Sequence, residues 1–523
     1  MRRVLIDGES LAIEDVVVVS RGGAQVEIPQ RVKDKVKKCR RVVEQFVRKK
    51  KVVYGVTTGF GALGSVVVPS ERIKELQSNM IRSHSAGVGK PLGRDVTRAL
   101  MLLRANTLAK GNSGIRLETL ETLVHMINKG VHPLIPEKGS VGASGDLAPL
   151  SHMTLVIMGE GEAEFEGEMM SGKVAMEKAR IRPVELDFKE GLALNNGTQL
   201  MTALGALAVY DAERLIKNAE IAASLSLEAL SGMSDAFDER IHQIRPHLGQ
   251  IATARNVRLL TAESEIIKSG GEVVGEMGES KNRAPQDPYS LRCVPQVLGA
   301  ARDAIAYARR VIETEINSAT DNPLIFADDG ECLSGGNFHG QPVSVAMDLL
   351  GIALAIIGNM SERRIARLID ENLSNGLPAF LIHRDVERGI HSGFMPAQVT
   401  AAALASENKA LAHPASVDSI PTSANFEDFV SMGSIAARKA TEILRNVETI
   451  VAIELLCAAQ GVEFRGSEKL GRGTRVAYSV IRKKVPMLKE DRVMSKDIEA
   501  VMELVRSGEL VEAVEEAVSS KIY

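Results

Sequence analysis

Apolar residues recur three and four positions apart, with charged residues on the opposite face, through three long stretches: 201–230, 340–370 and 431–460. The first, MTALGALAVYDAERLIKNAEIAASLSLEAL, contains no proline, and the second contains only Pro342, near its start. This is the period of an amphipathic helix, not of a strand. At about 1.5 Å per residue each helix would run ~40 Å. Helices of that length cover their apolar stripes only by packing on one another, which predicts a long-helix bundle. Their flanks are rich in Ala, Leu and Ile, so some are expected to be buried all round through subunit association.

The first part of the chain is punctuated by Gly and Pro and by short apolar runs, as in a mixed α/β region. VLIDG (4–8) and VVVVS (16–20) read as short strands. IPQRVKDKVKKCRRVVEQFVRKK (28–50) reads as a basic amphipathic helix with a solvated face, and TRALMLLRANTLAKG (97–111) as a helix stopped by Gly111. VMELVRSGELVEAVEEAVSS (501–520) reads as one acidic amphipathic helix. The expected division is a mixed N-terminal domain, 1–200, and a bundle with C-terminal helices, 201–523. No repeat or low-complexity tract is visible.

Composition narrows the function classes. A net charge of −3 over 523 residues offers no basic field for nucleic acid or an anionic membrane. With no Trp and 6 Tyr, base-stacking platforms are scarce. Cys39, Cys293, Cys332 and Cys457 are far apart and lack metal or disulfide spacing, which fits a reducing compartment. The start, MRRVLIDGES, has no apolar leader core, and the apolar window LLGIALAIIGNM (349–360) is short for a bilayer. A soluble, cytoplasmic protein is expected, with neither nucleic acid nor membrane as partner.

GSVGASGDLAPLSHM (139–153) carries the candidate chemistry. Its glycines, three apart, match neither phosphate-loop spacing nor a G-x-S-x-G nucleophile elbow. An ordinary turn and a self-reacting backbone both remain open. In the second, the Gly145 nitrogen attacks the Ala143 carbonyl, which the missing Cβ of glycine permits. The Ser144 hydroxyl then leaves as water.

With its company, this segment resembles the histidine and aromatic amino acid ammonia-lyase family. The resemblance covers essentially the whole chain: YGVTTGFG (54–61), LNNGTQ (194–199), QDPYSLR (286–292), GGNFHGQP (335–342) and SVDSIPTSANFEDFVSMG (416–433) stand in the family's order. It implies a mainly α fold of the aspartase/fumarase kind, with a long central bundle and a mixed N-terminal domain bearing the reactive loop. It also implies a homotetramer with active sites shared between chains, and 4-methylideneimidazol-5-one (MIO) formed from Ala143-Ser144-Gly145, without metal, NAD or PLP.

The reaction so implied removes ammonia from an L-amino acid. Tyr54 would take the β-hydrogen, a role for which a phenol of ordinary pKa ~10 needs a polarising environment. Tyr289 would also be catalytic. Arg292 would bind the substrate carboxylate through its planar fork. Gln286 and Asn196 would be polar groups of the site, and Phe338 part of its wall. Ser83-His84 matches histidine lyases, and tyrosine aminomutases carry the same pair. Glu427 stands where histidine lyases have Glu and phenylalanine and tyrosine enzymes usually have Gln. A carboxylate suits an imidazole N–H and would be costly beside a plain phenyl ring. Histidine, converted to urocanate, is therefore the expected substrate. Phe426 and Phe429 replace polar residues of the histidine enzymes, Thr57 a usual Asn, and Asn195 a usual aliphatic residue. The alternatives are a tyrosine or phenylalanine lyase, a tyrosine 2,3-aminomutase, or a non-catalytic helical scaffold.

Overall fold

The structure is a computed structural model that describes residues 2–274, 285–387 and 389–523. It is 59% helix and 7% strand. The chain forms two compact units: Met1–Tyr210, Ala308–Asp348 and Pro414–Lys439 make the first, and Asp211–Tyr307, Leu349–His413 and Ala440–Tyr523 the second. The division anticipated at 200/201 gave two continuous segments, whereas these units are discontinuous in sequence. The first unit also takes in two later segments, and with them part of the long-period helices.

The helices that matter for the site are α1 (Gln30–Arg48), α2 (Ile73–His84), α3 (Arg94–Ala109), α4 (Leu147–Ile157), α5 (Glu190–Asn195), α6 (Gln199–Ala229), α7 (Val294–Glu315), α8 (Gln341–Ile369) and α9 (Gly433–Glu463). Helices α6, α8 and α9 are the three long periods of the sequence. α7 is a further long helix that the periodicity did not single out. In the first unit, Gly205 of α6 packs against Ile312 of α7 and Met347 of α8, so closely that a Cβ there would lie 2.5 Å from Ile312. In the second unit α6, α8 and α9 are tied by charge. Glu454 of α9 accepts from Arg364 Nη2 of α8 at 2.8 Å and from Ser226 Oγ of α6 at 2.7 Å, and the ion pair is fully buried.

Helix α1 buries Val32, Val36, Cys39, Val43 and Phe46 at alternating steps of four and three; Arg40 is also buried, its Nη1 donating to Phe188 O at 2.7 Å. Helix α3 ends at Ala109, two residues before Gly111 at φ +80°. Two expectations fail. Residues 16–20 are not a strand but the end of a helix, Ile13–Ser20, that buries Ile13, Val16, Val19 and Ser20. A buried stripe at helical spacing, with Glu14 and Asp15 in the first turn, overrides the strand preference of four valines. The C-terminal stretch is two helices, Met494–Ser507 and Glu509–Ala517, because Gly508 takes φ +90° between them.

Strands are short and belong to the first unit. Arg3–Leu5 pairs parallel with Gln25–Glu27, and His132–Pro133, Glu162–Phe165 and Glu168–Ser171 form an antiparallel sheet. By length and a mean hydropathy of 1.9, α8 could cross a membrane, but 67% of its most apolar window is buried inside the protein, as in a core helix.

Candidate active site

Between Gly139 and Asp146 the chain bends tightly, with Gly139, Gly142 and Gly145 at φ +133°, +67° and +74°. Two of these positions have no room for a side chain. A Cβ on Gly145 would lie 2.1 Å from Gly197 O, and one on Gly142 would lie 2.1 Å from Ser431 Oγ. Asp146 N–H donates to Gly197 O at 2.6 Å, so the bend is sewn to the Asn-Gly-Thr turn that opens α6. α4 starts at Leu147 and α6 at Gln199, which sets two helix N-termini beside the bend. Their partial positive charge favours developing negative charge there.

Asp146 secures this junction. Its Oδ1 accepts from Ser140 Oγ at 2.9 Å and its Oδ2 from Met201 N–H at 3.0 Å, which satisfies an otherwise open amide of α6. It is fully buried, and burial pushes its carboxyl up to about 6. Glu315 of α7, joined to Thr198 Oγ1 at 2.5 Å, is likewise raised by burial, with the charge of Asp146 adding to the effect. Asn196 Nδ2 donates to Ser144 O at 3.0 Å. The Asn196 carbonyl is held in turn by the fully buried Arg104, whose Nη1 donates at 2.8 Å.

Ser144 Oγ donates to Glu427 Oε1 at 2.7 Å. The other carboxylate oxygen accepts from Thr422 Oγ1 and Ser423 Oγ, each at 2.9 Å. These bonds hold a loop in which Ser423, Ala424 and Asn425 have φ of +50°, +54° and +65°. Three successive left-handed non-glycine residues store strain, a feature that concentrates at functional sites.

A cavity of about 710 Å³ opens over the bend, lined by Tyr54, His84, Ala143, Ser144, Asn196, Phe338 and Glu427. Tyr54 Oη accepts from Gly61 N–H at 2.9 Å, which folds the YGVTTGFG loop over its own ring. His84 Nδ1 lies 2.8 Å from Met80 O. A carbonyl only accepts, so Nδ1 carries a proton, and in the neutral ring Nε2 is the acceptor. Phe426 and Phe429 also line the cavity and are 60% and 61% exposed. The ring of Phe429 stacks on His339 at 6.1 Å.

Seven of the site residues expected from the sequence thus share one wall, and Gly145 supports it from the bend. Gln286, Tyr289 and Arg292 do not line this cavity; they belong to the second unit. Tyr289 is 69% exposed, the Arg292 guanidinium lies 4.6 Å over its ring, and Arg292 Nε is buried with no hydrogen-bond partner among the described residues. Sequence reasoning missed Asn322, also on the wall, whose Oδ1 accepts from Gly335 N–H at 2.8 Å. It also missed Asp146 and Ser431. Asp146 lay inside the quoted motif, and its signal was an acid placed among apolar residues.

Comparison with known proteins agrees along the full length. The family model for aromatic amino acid lyase matches residues 11–483. Histidine ammonia-lyase of Alkaliphilus oremlandii is 57% identical over 99% of both chains, and that of Caldanaerobacter subterraneus subsp. tengcongensis 56% identical over 99% of both. Among solved structures, tyrosine aminomutase from Streptomyces globisporus superposes with a TM-score of 0.95 at 40% identity, covering 100% of both chains. Histidine ammonia-lyase from Trypanosoma cruzi gives 0.90 at 41% identity, covering 98% of this chain and 95% of that one. With its glycine-ringed Ala-Ser-Gly bend at the base of the cavity, this chain belongs to the aromatic amino acid lyase family.

Proposed function

We propose that this chain eliminates ammonia from L-histidine to give urocanate, using MIO formed from Ala143-Ser144-Gly145. The observation that carries the reading is one cavity in which Ser144 is bonded to Glu427 while Tyr54, His84 and Asn196 share the wall. Histidine ammonia-lyases at 57% and 56% identity favour histidine among the family's substrates.

The bend fits the group. Gly145 sits where a Cβ would collide with Gly197 O, Ala143 and Ser144 face the cavity, and Asn196 holds the Ser144 carbonyl. Once formed, the group supplies an electrophile for covalent capture of the substrate. Tyr54 Oη, positioned by Gly61 N–H, takes the β-hydrogen. His84 Nε2 accepts from the imidazole N–H, and Glu427 accepts from the second ring nitrogen or pairs with the cationic ring. Phe338 closes the apolar side.

An amino-acid carboxylate needs a counter-charge, and among the described residues this wall carries neither Lys nor Arg. Arg292 offers a partly exposed guanidinium fork, beside the exposed Tyr289 and Gln286. These three are assigned to the cavity of a neighbouring copy, hence a homotetramer with shared sites. Four free cysteines accord with a reducing, cytoplasmic setting.

Intact mass and product identification test the reading together. The mature chain should weigh two waters less than its sequence and convert L-histidine to urocanate in preference to L-tyrosine or L-phenylalanine. A full-length mass removes the chemistry; coumarate, cinnamate or a β-amino acid as main product removes histidine.

A further inference from the structure

Ring closure joins the Gly145 nitrogen to the Ala143 carbonyl carbon, and the surroundings of the bend treat that carbonyl differently from its neighbours. The three carbonyls before it are each held from one short segment. Ser434 Oγ donates to Ser140 O at 2.9 Å, Met432 N–H to Val141 O at 2.9 Å, and Ser431 Oγ to Gly142 O at 3.2 Å. Beyond it, Ser144 O takes Asn196 Nδ2 at 3.0 Å. In the run from Ser140 to Ser144 the Ala143 carbonyl accepts no hydrogen bond among the described residues, and the Gly145 N–H donates none.

That pattern suits the reaction. Ala143 C must become tetrahedral and give up its oxygen, so a donor fixed to that oxygen would resist the movement. Freezing the peptide planes on either side removes competing conformations and holds the reacting atoms together. Ser431 and Ser434 are 0% and 3% exposed, and Ser344 Oγ donates to Ser431 O at 2.6 Å, which anchors the segment to the start of α8. The contact also explains why Gly142 can carry no side chain.

We propose that residues 431–434 are a built-in template for ring closure, with Ser431 and Ser434 as its positioning residues. This rests on the MIO reading above. In the step, a bond forms between Gly145 N and Ala143 C. The Ala143 oxygen leaves as water with the protons of Gly145 N and Ser144 N. The Ser144 hydroxyl leaves as a second water with the Ser144 Cα proton. No oxidant or other reactant is consumed.

Cell-free synthesis followed by time-resolved intact mass tests the template without reference to turnover. Wild type, Ser431→Ala, Ser434→Ala and the double variant are compared with Ser224→Ala. This control removes an equally buried hydroxyl, which donates to Glu220 O in the second unit. Only chains that elute at wild-type size are compared. Losing two ordinary hydrogen bonds should slow the loss of both waters roughly tenfold in the double variant, with smaller delays in the singles. Ser224→Ala should keep the wild-type rate. Wild-type rates in both serine variants, or equal slowing in the control, would overturn the template while leaving the lyase reading intact. A wild-type chain that never loses water would remove the MIO reading itself.

Discussion

Ser144 Oγ lies 2.7 Å from Glu427 Oε1, although 283 residues separate the two in sequence. The residue that would furnish the electrophile is therefore in contact with the one that would read the substrate ring. Ser144→Ala removes the leaving hydroxyl and nothing from the core. Its melting temperature should stay near wild type, its mass should show no loss of two waters, and urocanate formation should be nearly abolished. Activity retained at wild-type level would end the electrophile assignment.

Glu427→Gln keeps the size of the side chain and removes its charge. A charge-assisted hydrogen bond contributes about 1.5–3 kcal/mol, so kcat/KM for histidine should fall roughly 10- to 100-fold. Any side activity on tyrosine should change far less. Steady-state kinetics on both substrates checks this, and equal losses would show that Glu427 does not read the ring.

Tyr54→Phe deletes the base and spares the bend. General base catalysis contributes typically ~10²–10⁴-fold, so kcat should fall by that order while KM moves little. The mass deficit of two waters should remain, separating loss of proton transfer from failed maturation.

Buried Asp146 makes stability pH-dependent with a definite sign. Its folded-state pKa is raised from 3.8 to about 6, so between those values the unfolded chain ionises while the folded one retains its proton. Stability therefore falls as pH rises from about 4 to about 6, on the order of 3 kcal/mol from this group. Urea unfolding midpoints across that window should fall more steeply for wild type than for Asp146→Asn. Parallel profiles would mean that Asp146 titrates normally.

The Arg364–Glu454 pair is fully buried in the second unit. Breaking one partner of such a pair strands a charge, at a cost of about 3–5 kcal/mol. Arg364→Met should lower the melting temperature markedly, whereas Arg364→Met with Glu454→Leu should recover much of the loss. Calorimetry on both decides it.

How much of this was legible beforehand follows from the range of each signal. Helices α6, α8 and α9 were readable because a stripe repeated over some thirty residues has one regular solution. The valines at 16–19 were misread because local preference favours a strand, while the choice was made by what the helix packs on. Gly508 was passed over because one residue hardly disturbs a periodic pattern. Within the site, Tyr54, Asn196 and Glu427 sat in motifs that the eye can match. The bond from Ser434 to Ser140 joins segments 294 residues apart and leaves no local trace. Arg292 was expected at the site from its motif, yet it does not line the cavity described.

The contrast between Gly145 and Phe426 bears on how such an enzyme can acquire new substrates. Gly145 cannot gain even a methyl group without striking Gly197, whereas Phe426 is 60% exposed. On the reading proposed above, the chemistry rests on a position that accepts no added atom, and the fit to the substrate in part on side chains at the rim of the cavity. A lineage built this way can explore new amino acids at its rim while inheriting an unaltered reaction from below.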